Sequence, residues 1–173
     1  ESFTVIEDLI TLNRIDCGWH KTGYFQAAWC KSHYEAMQKK AFLLNSEAAS
    51  DAFLVPPERQ REELGSDYYH GGMVVSRAAH LHPALYFEGL LKLAQNAKIK
   101  IASRTPVNGL VQNADASWMV KTPRGVVKAA HVIIATNGYT GDVTPQLKRR
   151  VVPVGSYIIA TEELSPDVVQ SMS

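Results

Sequence analysis

The chain has 173 residues, 46% of them hydrophobic, with 18 Lys+Arg against 17 Asp+Glu and a formal net charge of +1. That is apolar material for one ordinary core or two small ones sharing an interface, and so even a charge balance gives no electrostatic reason to expect nucleic acid or an anionic membrane surface as partner. Cys17 and Cys30 are too far apart for a redox pair and lack the further ligands of a structural zinc site, and no apolar stretch approaches bilayer-spanning length, so a soluble protein in a reducing, cytoplasmic setting is expected.

The opening stretch ESFTVIEDLI has no initial Met and already runs at helical spacing. Phe3, Ile6, Leu9 and Ile10 predict a helix over 2–13, and the whole reads as a piece of something longer. The segment IDCGWHKTGYFQAAW switches to shorter spacing with two glycines, predicting a strand near 22–28, before KSHYEAMQKKAFLLNSEAA returns to helix. Pro56 and Pro57 delay the next short helix, and Gly71 with Gly72 marks a tight turn into a strand over 73–76. Pro83 suits a first helical turn, where its missing N–H costs nothing; Ala84, Phe87, Leu91 and Ala94 share one face, so a helix is expected over 83–96.

Beyond it, KIKIAS predicts a strand over 99–103 and TPVNGL begins another. SWMVKT and GVVKAA flank Pro123-Arg124-Gly125 as a hairpin. Residues 131–135 are an unbroken apolar run of the kind a parallel strand buried on both faces shows. Residues 152–161 read as a strand that joins 22–28 and 73–76 in a second, mostly antiparallel sheet. The order describes an α/β (α+β) chain with an inserted β-meander, and an unpaired parallel edge in it would favour self-association.

In open parallel sheets ligands bind beyond the carboxyl ends of the strands. Ala135-Thr136-Asn137-Gly138 sits at such an end: Ala135 and Gly138 are small enough for a ligand to touch backbone, Thr136 carries a hydroxyl, and Asn137 tolerates the left-handed conformation. A turn chosen only for its geometry explains the same residues. His80 and His82 suggest a metal pair, but no third ligand stands near, so no metal site is expected and His82 reads as the cap of the helix at Pro83. Tyr68, Tyr69 and His70 read as loop packing, as do Trp19, Trp29 and Trp118 within their own segments. Lys148, Arg149 and Arg150 read as a solvated turn.

The stretches GGMVVSRAAHLHPALYFEGLLKLAQNAKIKIASRTPVNGL and VKTPRGVVKAAHVIIATNGYTGDVTPQLKRRVVPVGSYIIATEEL resemble the central part of the FAD-dependent D-amino acid oxidase-like oxidoreductases, in their gamma-glutamylputrescine oxidoreductase-like and DadA-like branch. The resemblance implies FAD as cofactor and oxidation of the C–N bond of an amine or amino acid. It sets Val107 beside the adenine, Ala135, Thr136, Asn137, Gly138 and Tyr139 against the nucleotide half of FAD, and Tyr157 on the substrate side. It further implies a partial FAD-binding Rossmann-like layer from residues 1–16 and 77–150, and part of a substrate-binding domain from 17–76 and 151–173. The G-x-G-x-x-G turn that holds the pyrophosphate in relatives is not in the sequence, so the chain on its own is expected to be inactive and to lose FAD. No catalytic acid or base is named, because the flavin carries the redox step. The competing reading is a non-catalytic α+β binding or scaffold module that has lost its flavin site.

Overall fold

The computed structural model of the chain describes residues 2–172. In chain order the elements are α1 (Ser2–Asn13), β1 (Tyr24–Ala27), α2 (Lys31–Ala48), β2 (Ala52–Val55), a 3-10 helix (Pro57–Glu62), β3 (Gly72–Val75), α3 (Pro83–Asn96), β4 (Gly109–Gln112), β5 (Trp118–Thr122), β6 (Gly125–Ala129), a 3-10 turn (Asn137–Tyr139), α4 (Pro145–Lys148) and α5 (Pro166–Met172). They group into two compact units, Glu1–Ile99 with Thr161–Ser173, and Lys100–Ala160.

The first unit is built around a three-stranded antiparallel sheet in the order β1-β3-β2. Tyr24 and Ala52 both stand opposite Val75, and Ala27 and Val55 opposite Gly72. Met37 and Ala41 are four residues apart on α2 and so lie on one face, where they meet Ala28, Ala52 and Met73. Met37 and Met73 are each 1% exposed, and burying side chains of that size is worth about 1.5–3 kcal/mol apiece. The expected turn at Gly71 is present. Its φ of +76 lies in the region only glycine enters freely, and at Gly72 an added Cβ would stand 2.5 Å from the Gln26 carbonyl oxygen, so neither position accepts a side chain. The helix after Pro83 forms as expected, and the His82 ring accepts the Leu85 N–H at 3.4 Å, the capping role read from sequence. The Met172 carbonyl of α5 accepts the Gly65 N–H at 2.8 Å.

The second unit carries the expected meander, β4-β5-β6. Leu110 pairs with Val120 across the first hairpin and Val120 with Val127 across the second. At the second turn Thr122 donates its hydroxyl to the Gly125 carbonyl at 2.8 Å, and Gly125 takes φ +139.

Three expected strands are absent. Residues 99–103, 131–135 and 152–161 run without sheet pairing, and both sheets among the described residues are antiparallel. Ile133 is 91% exposed and Ile158 and Ile159 are each 93% exposed, where sequence reading expects burial. The physical reason is that a strand is held by its neighbours' hydrogen bonds and side chains, and no described segment supplies a partner for these runs. Of the three segments expected in one sheet, 22–28 and 73–76 meet as β1 and β3, with β2 as the third strand, while 152–161 stays outside.

Candidate functional site

In the second unit, an apolar cleft of about 450 Å³ opens between the meander and the run that follows it. Val107, Leu110 and Val120 form one side; residues 132–136 and Tyr139 form the other. The first side exists because the β4–β5 register puts Leu110 directly across from Val120, and facing residues of an antiparallel pair share one surface of the sheet.

The second side is shaped by a turn. Asn137 takes φ +47, the left-handed conformation its short amide side chain tolerates. The Tyr139 N–H then reaches the Thr136 carbonyl at 2.9 Å. The Thr140 hydroxyl donates to the Asn137 carbonyl at 2.7 Å and lies 2.8 Å from the Thr136 hydroxyl. These bonds tie 136–140 into a local knot with no help from a sheet.

Of the positions singled out in the sequence, Val107, Ala135, Thr136 and Tyr139 line this cleft. Asn137 and Gly138 build the turn beneath it without lining it. Gly138 is not forced by packing: an added Cβ would find its nearest neighbour, the Pro153 side chain, at an ordinary 3.8 Å. Tyr157 does not line the cleft and is 93% exposed.

A second cleft, of about 510 Å³, shares Thr105 and Val107 with the first and contains Arg124, whose Nη1 donates to the Thr105 hydroxyl at 3.3 Å. Sequence reading treated Arg124 only as a turn residue. What gives it a place at the site is the fold-back of the β5–β6 turn toward residue 105, a long-range contact that no local pattern announces.

The first cleft is lined by no Asp, Glu, Lys, Arg or His. It can receive a flat apolar group by van der Waals contact and backbone approach, but it offers no acid or base working near neutral pH. Beside it, between the lining residues Gly141 and Val143, Lys148 at 2.7 Å holds the Asp142 carboxyl below its usual range, and elsewhere in the unit a second such arrangement sits at the tip of the β4–β5 hairpin. The Ser117 hydroxyl, with Lys128 at 3.0 Å, holds the Asp115 carboxyl below the usual carboxylate range.

The remaining aromatic candidates are packing groups. Trp29, Tyr68 and Tyr69 meet edge to face with ring centres 5.4 to 6.0 Å apart. Trp19 lies on Phe3 with ring centres 5.2 Å apart, and its buried Nε1 has no hydrogen-bond partner among the described residues.

Comparison with known proteins gives this arrangement a context. Residues 1–172 match the model of the FAD dependent oxidoreductase family. A probable oxidoreductase OrdL of Haemophilus influenzae is 33% identical over 99% of this chain and 41% of its own length. Gamma-glutamylputrescine oxidoreductase of Escherichia coli is 28% identical over 99% of this chain and 40% of its own. The crystal structure of glycine oxidase from Geobacillus kaustophilus superposes with a TM-score of 0.70 at 15% identity, over 83% of this chain and 39% of that one, a likeness of fold. The chain thus spans about two fifths of the length of the curated relatives it matches.

Proposed function

The chain belongs to the FAD-dependent oxidoreductase family, and on that premise we propose that it is the central part of an enzyme oxidising the C–N bond of an amine or amino acid. One observation carries the reading: Val107 and the group Ala135, Thr136 and Tyr139, far apart in sequence, line a single apolar cleft. FAD, when bound, supplies the hydride acceptor.

The residues present suit the adenine end of that cofactor. Val107 and Ala135 allow a flat ring to lie against backbone, the Asn137–Tyr139 turn holds Ala135 and Thr136 in place, and Arg124 stands by with donors for a polar or anionic part of the nucleotide. Asn137 and Gly138 act through the turn rather than by contact. No G-x-G-x-x-G turn occurs in the sequence, so the pyrophosphate is not assigned to this chain. By the same reading, residues 1–16 and 77–150 belong to the FAD-binding side and 17–76 and 151–173 to the substrate side, where Tyr157 faces substrate.

The substrate class is a gamma-glutamylputrescine-like amine or a D- or N-alkyl amino acid, supported by the names of the Escherichia coli relative and of the glycine oxidase fold neighbour. The exposed apolar run at 152–159 favours self-association of the isolated chain, and a cytoplasmic setting completes the reading.

The test uses a polypeptide of the relatives' full length that contains this chain. Anaerobic titration with polyamine derivatives, N-methyl amino acids and D-amino acids should bleach the oxidised flavin absorbance with at least one of them. Bound flavin that dithionite reduces and no amine does would overturn the substrate class while leaving the family intact.

A further inference from the structure

Outside the cleft, the first unit brings together two histidines that lie 60 positions apart in the numbering and that sequence reading never paired. His20 and His80 form an antiparallel bridge, with the His20 N–H on the His80 carbonyl at 3.0 Å and the His80 N–H on the His20 carbonyl at 2.9 Å. Gly23 extends the ladder, donating to the Ala78 carbonyl at 3.2 Å. Side chains two apart on an extended segment share a face, so Thr22 lies on the same side as His20, across from His80. Accordingly the Thr22 hydroxyl sits 3.1 Å from His80 Nδ1. Lys21 turns away to pair with Glu7, so the nearest cationic side chain in sequence is compensated.

We propose that His20 and His80 form a two-histidine site for a divalent transition-metal ion, zinc in the first instance. The ring centres are 5.2 Å apart and their planes are inclined by 39°. Two imidazoles on one tetrahedral zinc, with Zn–N bonds of about 2.0–2.1 Å, have ring centres about 5 Å apart, so the pair already stands at the required spacing. A ligating histidine is normally held through its other ring nitrogen, and Thr22 performs that service for His80 by engaging Nδ1, which leaves Nε2 for the metal. The His20 ring nitrogens have no hydrogen-bond partner among the described residues. Both rings are exposed, so the ion has an entry path. Among the described residues no group of three or more His, Cys, Asp or Glu side chains is placed to hold one metal ion. The protein therefore gives two ligands, and water or a small anion completes the coordination, as in an open rather than a closed site. His82, two positions on, is not part of it, because its Nδ1 caps α3.

The probe is zinc chloride alone, added near neutral pH to the chain purified without an affinity tag. Calorimetric titration should show one saturable event in the unmodified chain and none in the double variant His20→Gln/His80→Gln. Thr22→Val should weaken it about tenfold, the effect of removing a group that holds a ligand, whereas His33→Gln/His131→Gln should leave it unchanged. Equal binding by the unmodified chain and the double variant would overturn the proposal. Should circular dichroism show that the double variant fails to fold, imidazole NMR of the unmodified chain decides. Zinc must shift or broaden the His20 and His80 ring signals before those of His33, His70, His82 and His131, and any other order refutes the site.

Discussion

Asn45 and Ala52 exchange two hydrogen bonds: the Asn45 side-chain amide donates to the Ala52 carbonyl at 2.8 Å, and its oxygen accepts the Ala52 N–H at 2.7 Å. One side chain on α2 thereby supplies both the donor and the acceptor that a neighbouring strand would offer, and it holds the start of edge strand β2 against the helix. Asn45→Ala leaves two part-buried backbone groups unpaired and should cost about 1–3 kcal/mol. Asn45→Asp keeps only an acceptor and should fall between. Urea unfolding followed by circular dichroism measures both, and an Asn45→Ala variant as stable as the parent would remove this role.

The core beneath that edge is small, so each of its two methionines matters. Met37 is 1% exposed and packs on Ala28, Ala52 and Met73. Met37→Ala should lose about 2–5 kcal/mol, transfer and cavity effects together. Met37→Leu, which conserves volume, should lose less than about 1.5 kcal/mol. A similar loss for both would mean that shape, not volume, dominates the site.

Acid should loosen the β4–β5 hairpin. The Ser117 hydroxyl, then Lys128, lower the Asp115 pKa in the folded chain. A depressed folded value means that the stabilisation is fully present above the unfolded carboxylate value of about 3.9 and is lost as pH falls through the folded one. Amide exchange of residues 113–118 should therefore quicken as pH drops below that range, after correction for intrinsic exchange. Asp115→Asn should show fast exchange without that pH step. The same step persisting in the Asn variant would exclude Asp115 as its source.

Flavin retention tests the cleft. In a polypeptide of the relatives' length, Ala135→Phe should fill the space between Val107 and Tyr139 and lower flavin affinity at least about tenfold, a modest loss for a blocked close approach. Tyr157→Phe should keep flavin and at most slow turnover, since Tyr157 lies outside the cleft. The chain alone should be colourless after gel filtration, because nothing assigned to it holds the pyrophosphate. Flavin absorbance surviving on the isolated chain would contradict the adenine-end assignment.

The unpaired run at 152–159 should make the isolated chain associate. Val152, Val154, Tyr157, Ile158 and Ile159 are 81 to 93% exposed, a concentration of exposed apolar side chains of the kind that seeks a partner. Sedimentation velocity should show mass rising with concentration, and Ile158→Lys should suppress the rise. A monomer at all concentrations would set this expectation aside.

The sequence by itself determined α1, α2 and α3, the meander and the composition of the turn at Asn137, but not the short helices α4 and α5. Helical spacing places α1 and α3 within a residue or so of their observed bounds, because an α-helix satisfies its own backbone locally. The hairpin at Pro123-Arg124-Gly125 was legible for the same local reason. Residue type allowed the left-handed Asn137 without fixing it, since Arg14, Ala49 and Lys98 take positive φ as well. Tertiary structure alone decided whether the apolar runs at 99–103, 131–135 and 152–161 become strands, since a strand is completed by hydrogen bonds from a neighbour the run does not contain. It also decided that Val107 meets Ala135 and Thr136 in one cleft, that Arg124 reaches Thr105, and that His20 stands beside His80. Each of these joins segments distant along the chain, and a contact of that kind is set by how elements pack rather than by any period within one of them.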